Sequence, residues 1–108
     1  MEFRLLEYFL AVAREQNITA AAESLHISQP ALYTQLKALE KELGKQLLIR
    51  GVKGSRKVIL TEEGMILRKR AEEMISLMRR TEEEITGVGE TIAGNVFIGA
   101  GETETVRL

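Results

Sequence analysis

Apolar residues recur at helical spacing from the start of the chain. Phe3, Leu6, Phe9, Leu10 and Ala13 share one face of a helix predicted over Glu2–Gln16, and Leu5 and Val12 widen that face. Asn17-Ile18-Thr19 interrupts the pattern. Thr19 is placed to cap a second short helix running from Ala20 to about Leu25, whose Ala21 and Ala22 permit close helix packing. His26-Ile27 forms a turn, and Ser28 caps a third helix with Pro30 in its first turn, where a missing N–H costs nothing. Ala31, Leu32, Leu36, Leu39 and Leu43 form the inward stripe of that helix, and Gly44 ends it. Two short helices joined by a tight turn, the second presenting polar groups at its start, predict a helix-turn-helix.

Leu47-Leu48-Ile49 and Val58-Ile59-Leu60 are short strand-like runs around a basic, glycine-containing loop, Arg50–Lys57, which together predict a β-hairpin wing. Thr61-Glu62-Glu63 then opens a long helix with a hydroxyl cap and two acids at its positive end. Leu67, Ala71, Met74, Met78, Ile85, Val88 and Ile92 follow in steps of four and three, with Thr81 in the one skipped slot. This heptad-like seam predicts pairing with another helix. At about 1.5 Å per residue, the helix over 62–92 is roughly 45 Å long, more seam than a 60-residue head can bury, so dimerisation is expected. Gly87 and Gly89 mark where it is expected to stop or fray. Gly94–Gly101 resembles one strand and a glycine-rich turn, and a lone strand needs partners. The expected organisation is mainly α: a winged helix-turn-helix over 1–60, a dimerisation helix over 61–92, and over 93–108 the beginning of a further domain.

Composition narrows the chemistry. The 108 residues include no Cys and one His, and all 16 acids are Glu, which removes Cys-based zinc sites, thiolate nucleophiles, disulfides and Asp-rich calcium loops. No run approaches the roughly 20 apolar residues of a bilayer span, and MEFRLLEYF lacks the basic-then-apolar order of a signal peptide. A cytoplasmic, non-enzymatic module without cofactor or metal is expected. The net charge of −1 hides a local imbalance: residues 28–60 carry seven cations against Glu40 and Glu42. Such a stretch is either a polyanion-binding patch or a solvated surface, and the helix-turn-helix around it favours the first.

The run Thr19-Ala20-Ala21-Ala22-Glu23-Ser24-Leu25-His26-Ile27-Ser28-Gln29-Pro30-Ala31-Leu32, followed by Leu39-Glu40-Lys41-Glu42-Leu43-Gly44, a wing, and Leu60-Thr61-Glu62-Glu63-Gly64, resembles the LysR-type transcriptional regulators over about residues 1–100. The resemblance implies an N-terminal winged helix-turn-helix for double-stranded DNA and a linker helix that dimerises antiparallel. It also implies a C-terminal domain that binds a small-molecule effector, with Asn95–Gly99 where that domain's first strand begins. The full-length family is typically tetrameric, and its targets are inverted repeats with T- and A-rich half-sites. This chain resembles the DNA-binding half, cut after the linker. It departs from the family's common pattern at Tyr33, often Ser, at Thr34, often Arg or Lys, and in a wing lengthened through Val52–Ser55.

On this reading Gln29 pairs its amide with an adenine edge, the alternative being a local polar residue beside a cap. Pro30 and Tyr33 offer apolar surface to a thymine methyl, or Tyr33 gives its hydroxyl to a phosphate, or it simply faces solvent. Thr34, Gln35 and Lys37 share one base and one phosphate contact in an order left open. Thr19 and Ser28 cap helices whose N-termini can hold phosphates, capping being the simpler role for both. Arg50, Lys53, Arg56 and Lys57 contact phosphates, with Arg56 or Lys53 alternatively entering an AT-rich minor groove. Lys41 and Lys45 are read as solvated charges, His26 as a turn residue, and Met65, Met74 and Met78 as interface packing. The dimer seam is Leu67, Ala71, Met74, Met78, Ile85 and Val88. The competing reading is a helical protein-interaction module with no specific DNA target, in which the basic patch merely solvates the fold.

Overall fold

A computed structural model describes residues 1–51 and 57–94. Helices α1 (Phe3–Glu15), α2 (Ile18–Leu25) and α3 (Gln29–Leu43) are followed by strands β1 (Leu48–Arg50) and β2 (Val58–Leu60) and by the long helix α4 (Glu62–Gly94). Among the described residues the sheet is this antiparallel pair, in the register Leu48–Leu60, Ile49–Ile59 and Arg50–Val58. No described helix is long and apolar enough to cross a membrane.

Local chemistry accounts for each boundary. Gln16 ends α1 in the left-handed region, its N–H donating to the Val12 carbonyl. Asn17, not Thr19, caps α2: its Oδ1 accepts from the Ala20 N–H at 2.9 Å, so the helix starts two residues before the expected Ala20. Asn is as good an N-cap as Ser or Thr, and it stands where the chain is still extended. His26 ends α2 at φ 60°, while the Ile27 N–H reaches back to Ala22 and the His26 N–H to Glu23. These are the paired bonds of a Schellman cap, with His, one of the residue types tolerated at positive φ, in place of Gly. Ser28 caps α3 as expected, its Oγ accepting from the Ala31 N–H at 3.2 Å, and Gly44 closes it at φ 69°.

The core draws on every described element. Leu5, Leu6, Phe9 and Val12 of α1 meet Ile18, Ala21 and Ala22 of α2, Leu32, Leu36 and Leu39 of α3, and Leu47 and Val58 at the wing. Ala31 and Leu43, expected to face inward, are exposed, so the buried stripe of α3 is narrower than its apolar sequence. Phe3 is likewise exposed. Leu67, Ala71 and Ile75 complete the core from α4. One compact unit runs from Met1 to Ile75, and a second begins at Ser76. The helix, expected over 61–92, continues through Gly87 and Gly89 to Gly94. The strand expected at Asn95–Gly99 lies outside the described residues.

Gly64 fixes how α4 meets the wing. It is buried in the first turn, and a Cβ there would overlap the Leu47 carbonyl oxygen and crowd the Leu60 Cβ at 3.3 Å. That carbonyl already accepts the Thr61 N–H at 3.0 Å, which leaves it little freedom to retreat. In Gly64→Ala, overpacking of about 1–3 kcal/mol opposes a helix-propensity gain of at most about 1 kcal/mol. The expected result is a net loss near 1–2 kcal/mol, read as a lower melting temperature. An unchanged or raised melting temperature would contradict the tight approach.

Candidate nucleic-acid interface

Helix α3 buries Leu32, Leu36 and Leu39 and leaves its other side to solvent. Gln29, Pro30, Tyr33, Thr34 and Lys37 are exposed there, and Gln35 is half-buried at its edge. The spacing of four places Gln29, Tyr33 and Lys37 in one row. Ser28 stands exposed at the head of the helix. Ile18, Gln29, Pro30, Tyr33 and Arg50 line an open groove that joins this face to the wing.

Arg50 closes the row from the side. Its guanidinium carbon lies 4.5 Å from the centroid of the Tyr33 ring, and the Lys37 Nζ lies 5.4 Å from the same point. The attraction of the ring's negative face for cations makes Tyr33 the meeting point of helix and wing. Lys37 is also 3.6 Å from Glu40 Oε1.

Glu40 ties α3 to the hairpin. Its Oε2 accepts from the backbone N–H of Leu47 at 2.7 Å and of Leu48 at 3.2 Å. These two bonds hold the entry of β1 against α3. The opposite end of the wing is tied by the Val58 N–H donating to the Gln16 carbonyl at 3.0 Å and by a bridge between Asn17 and Lys57. Thr61 completes the frame: its hydroxyl donates to the Gln46 carbonyl at 2.7 Å and accepts from the Gly64 N–H at 3.0 Å.

Arg50 and Lys57 are exposed where the loop leaves and re-enters the sheet, and the Gly51 N–H donates to the Lys57 carbonyl at 2.9 Å. Lys53 and Arg56, expected to contact DNA, lie outside the described residues. Thr19 requires a correction. Its hydroxyl neither caps α2 nor offers a surface donor, because Oγ1 is buried without a hydrogen-bond partner in the described structure. The reason is register: with Asn17 at the cap, Thr19 falls inside the first turn of the helix.

The expected seam on α4 also changes. Leu67 and Ala71 are buried in the core of their own chain and are not available to a second helix. Met74 is half-buried against that core, Met78 is half-buried, and Ile85 and Val88 are exposed. Sequence reasoning passed over Ile75, which joins the core, and Leu77, which is exposed. Leu67, Ala71 and Ile75 are covered by their own chain, whereas farther along the helix Leu77, Ile85 and Val88 are exposed, a difference in burial that heptad spacing does not reveal. It also passed over Asn17, detectable as a good cap before an apolar run, and Glu40, for which no local signal exists.

The profile described as "Bacterial regulatory helix-turn-helix protein, lysR family" matches residues 3–65. The HTH-type transcriptional regulator BsdA of Bacillus subtilis (strain 168) is 41% identical over 100 residues, 93% of this chain and 34% of its own length. This chain thus spans about a third of that relative. Its fold is similar to that of the BenM DNA-binding domain in complex with benA site 1 DNA, with a TM-score of 0.76, 42% identity, and coverage of 82% of this chain and 99% of that one. Full-length CbnR complexed with its target DNA gives a TM-score of 0.74 at 40% identity, over 81% of this chain and 29% of that one. With three helices, a two-stranded wing and a long helix in the order that these relatives share, the chain belongs to the lysR family of bacterial regulatory helix-turn-helix proteins.

Proposed function

We propose that this chain binds double-stranded DNA sequence-specifically, as the DNA-binding part of a cytoplasmic transcriptional regulator, with α3 in the major groove and the wing on the backbone. The observation that carries the reading is the exposed row Gln29, Pro30, Tyr33, Thr34 and Lys37 on a helix whose opposite side is core. Likeness to a domain solved on its DNA supports it. Gln29 reads an adenine edge, Pro30 offers apolar surface to a thymine methyl, and Ser28, Gln35, Lys37, Arg50 and Lys57 supply polar and phosphate contacts. Lys53 and Arg56 are proposed as further wing contacts on charge alone.

Two heads act together. The exposed Leu77, Ile85 and Val88, with the half-buried Met78, form the proposed dimer seam, and an inverted-repeat operator follows from a two-fold pair. A tetramer, and regulation by a small molecule bound to a separate domain, are proposed for the whole regulator from the family. The exposed apolar positions of α4 are used by this dimer, so they do not favour a protein-interaction module without DNA.

Selection of bound sequences from a random duplex pool tests the proposal, and a palindromic consensus is expected. On that consensus, Gln29→Ala should lose roughly 1–3 kcal/mol of discrimination at one base pair of each half-site. Equal weakening on every sequence would remove Gln29 from base reading.

A further inference from the structure

The contact between Arg50 and Tyr33 carries an inference about how the wing is used. Arg50 leaves β1 exposed, a position from which an arginine would sample many rotamers, yet its guanidinium lies over a ring that belongs to the recognition helix. A guanidinium held over a ring by its charge makes no hydrogen bond there, so its N–H groups stay available to donate to an anionic oxygen. The same contact covers a face of the Tyr33 ring, which opposes use of that face as a platform for a base. Lys37, near the ring and paired with Glu40, adds a second cation on the helix side. The groove that Tyr33 and Arg50 line also contains Gln29, so the held guanidinium stands beside the residue proposed to read bases.

We propose that Tyr33 is a positioning residue: its ring holds the Arg50 guanidinium at the flank of the recognition helix, where it takes a DNA phosphate next to the base that Gln29 reads. This rests on the proposed mode of DNA binding and assigns to Tyr33 neither a thymine-methyl contact nor a phosphate contact of its own. An uncharged residue thereby governs an electrostatic contact, because ordering a long side chain in advance lowers the cost of pairing it on binding.

The test is the salt dependence of duplex affinity for the full chain, with the selected consensus duplex as probe. Loss of one phosphate contact lowers the slope of log affinity against log salt by about 0.9 per head, which is roughly a 3-fold difference in sensitivity between 50 and 200 mM salt. Arg50→Gln should show this fall. Tyr33→Ser should fall toward the same slope although it removes no charge, Tyr33→Phe should keep the slope of the unmodified protein, and the double variant Tyr33→Ser/Arg50→Gln should lose nothing beyond Arg50→Gln. Both positions are exposed, and far-UV circular dichroism checks that each variant is folded. If Tyr33→Ser weakens binding with an unchanged slope, or the losses of the two changes add in full, the positioning role is wrong while sequence-specific binding stands. If the unmodified protein shows no salt-dependent duplex binding, both fail together.

Discussion

Exchanging Lys37, Arg50 and Lys57 together for glutamine is expected to lower duplex affinity by roughly 10²-fold per head at physiological salt. The size follows from counterion release. Each neutralised phosphate contributes about 0.9 to the salt slope, so three lost contacts flatten it by about 2.7, which compounds as salt falls from the molar range to 0.15 M. All three residues are exposed, so the change should leave the fold and any self-association intact. Binding to specific and non-specific duplexes should weaken alike, since phosphates carry no sequence information. Titrations at several salt concentrations check this. A loss under about 3-fold with an unaltered slope would mean that another face meets the DNA.

Glu40→Ala should be the most damaging single change near the interface. The side chain is only 13% exposed, and its carboxylate satisfies two part-buried backbone N–H groups at the entry of β1. Leaving both without an acceptor costs about 1–3 kcal/mol each. For a domain this small, a total of roughly 2–6 kcal/mol, at about 4–8 °C per kcal/mol, corresponds to a fall in melting temperature on the order of 10 °C or more. Glu40→Gln, which keeps a neutral acceptor, should recover part of the loss, because charge-assisted bonds are about twice as strong as neutral ones. Thermal denaturation of the three proteins decides it. Equal melting temperatures would show that β1 is held by its strand partner and core contacts alone. DNA affinity should fall in step with stability, since the same bonds join the recognition helix to the wing that carries Arg50.

These two expectations differ in how far the sequence reveals them. The cations of the middle third, the helix-turn-helix and the caps at Ser28 and Thr61 are legible because they depend on neighbours within four residues. The same locality made Asn17 detectable, although Thr19 was the residue expected at that cap. Glu40 reads only as an acid on a helix. Its bonds run to backbone groups seven and eight residues later, past the Gly44 turn, where helical periodicity has no reach. Tyr33 reads as an exposed aromatic for a similar reason, since its partner Arg50 arrives from a different element.

The long helix shows the division most clearly. Its hydroxyl cap, its acids and its spaced apolar residues determined by themselves that a helix would form and that it would have more apolar surface than its own turns could cover. Which residues go where was decided only in three dimensions. Leu67, Ala71 and Ile75 join the core of the head, while Leu77, Ile85 and Val88 remain exposed. Hydrophobic burial is non-directional, so a pattern of apolar positions specifies that a face will be covered without specifying by what. Hydrogen bonding within a turn is short-ranged and directional, which is why the caps follow from sequence and the partners of Glu40 and Tyr33 do not.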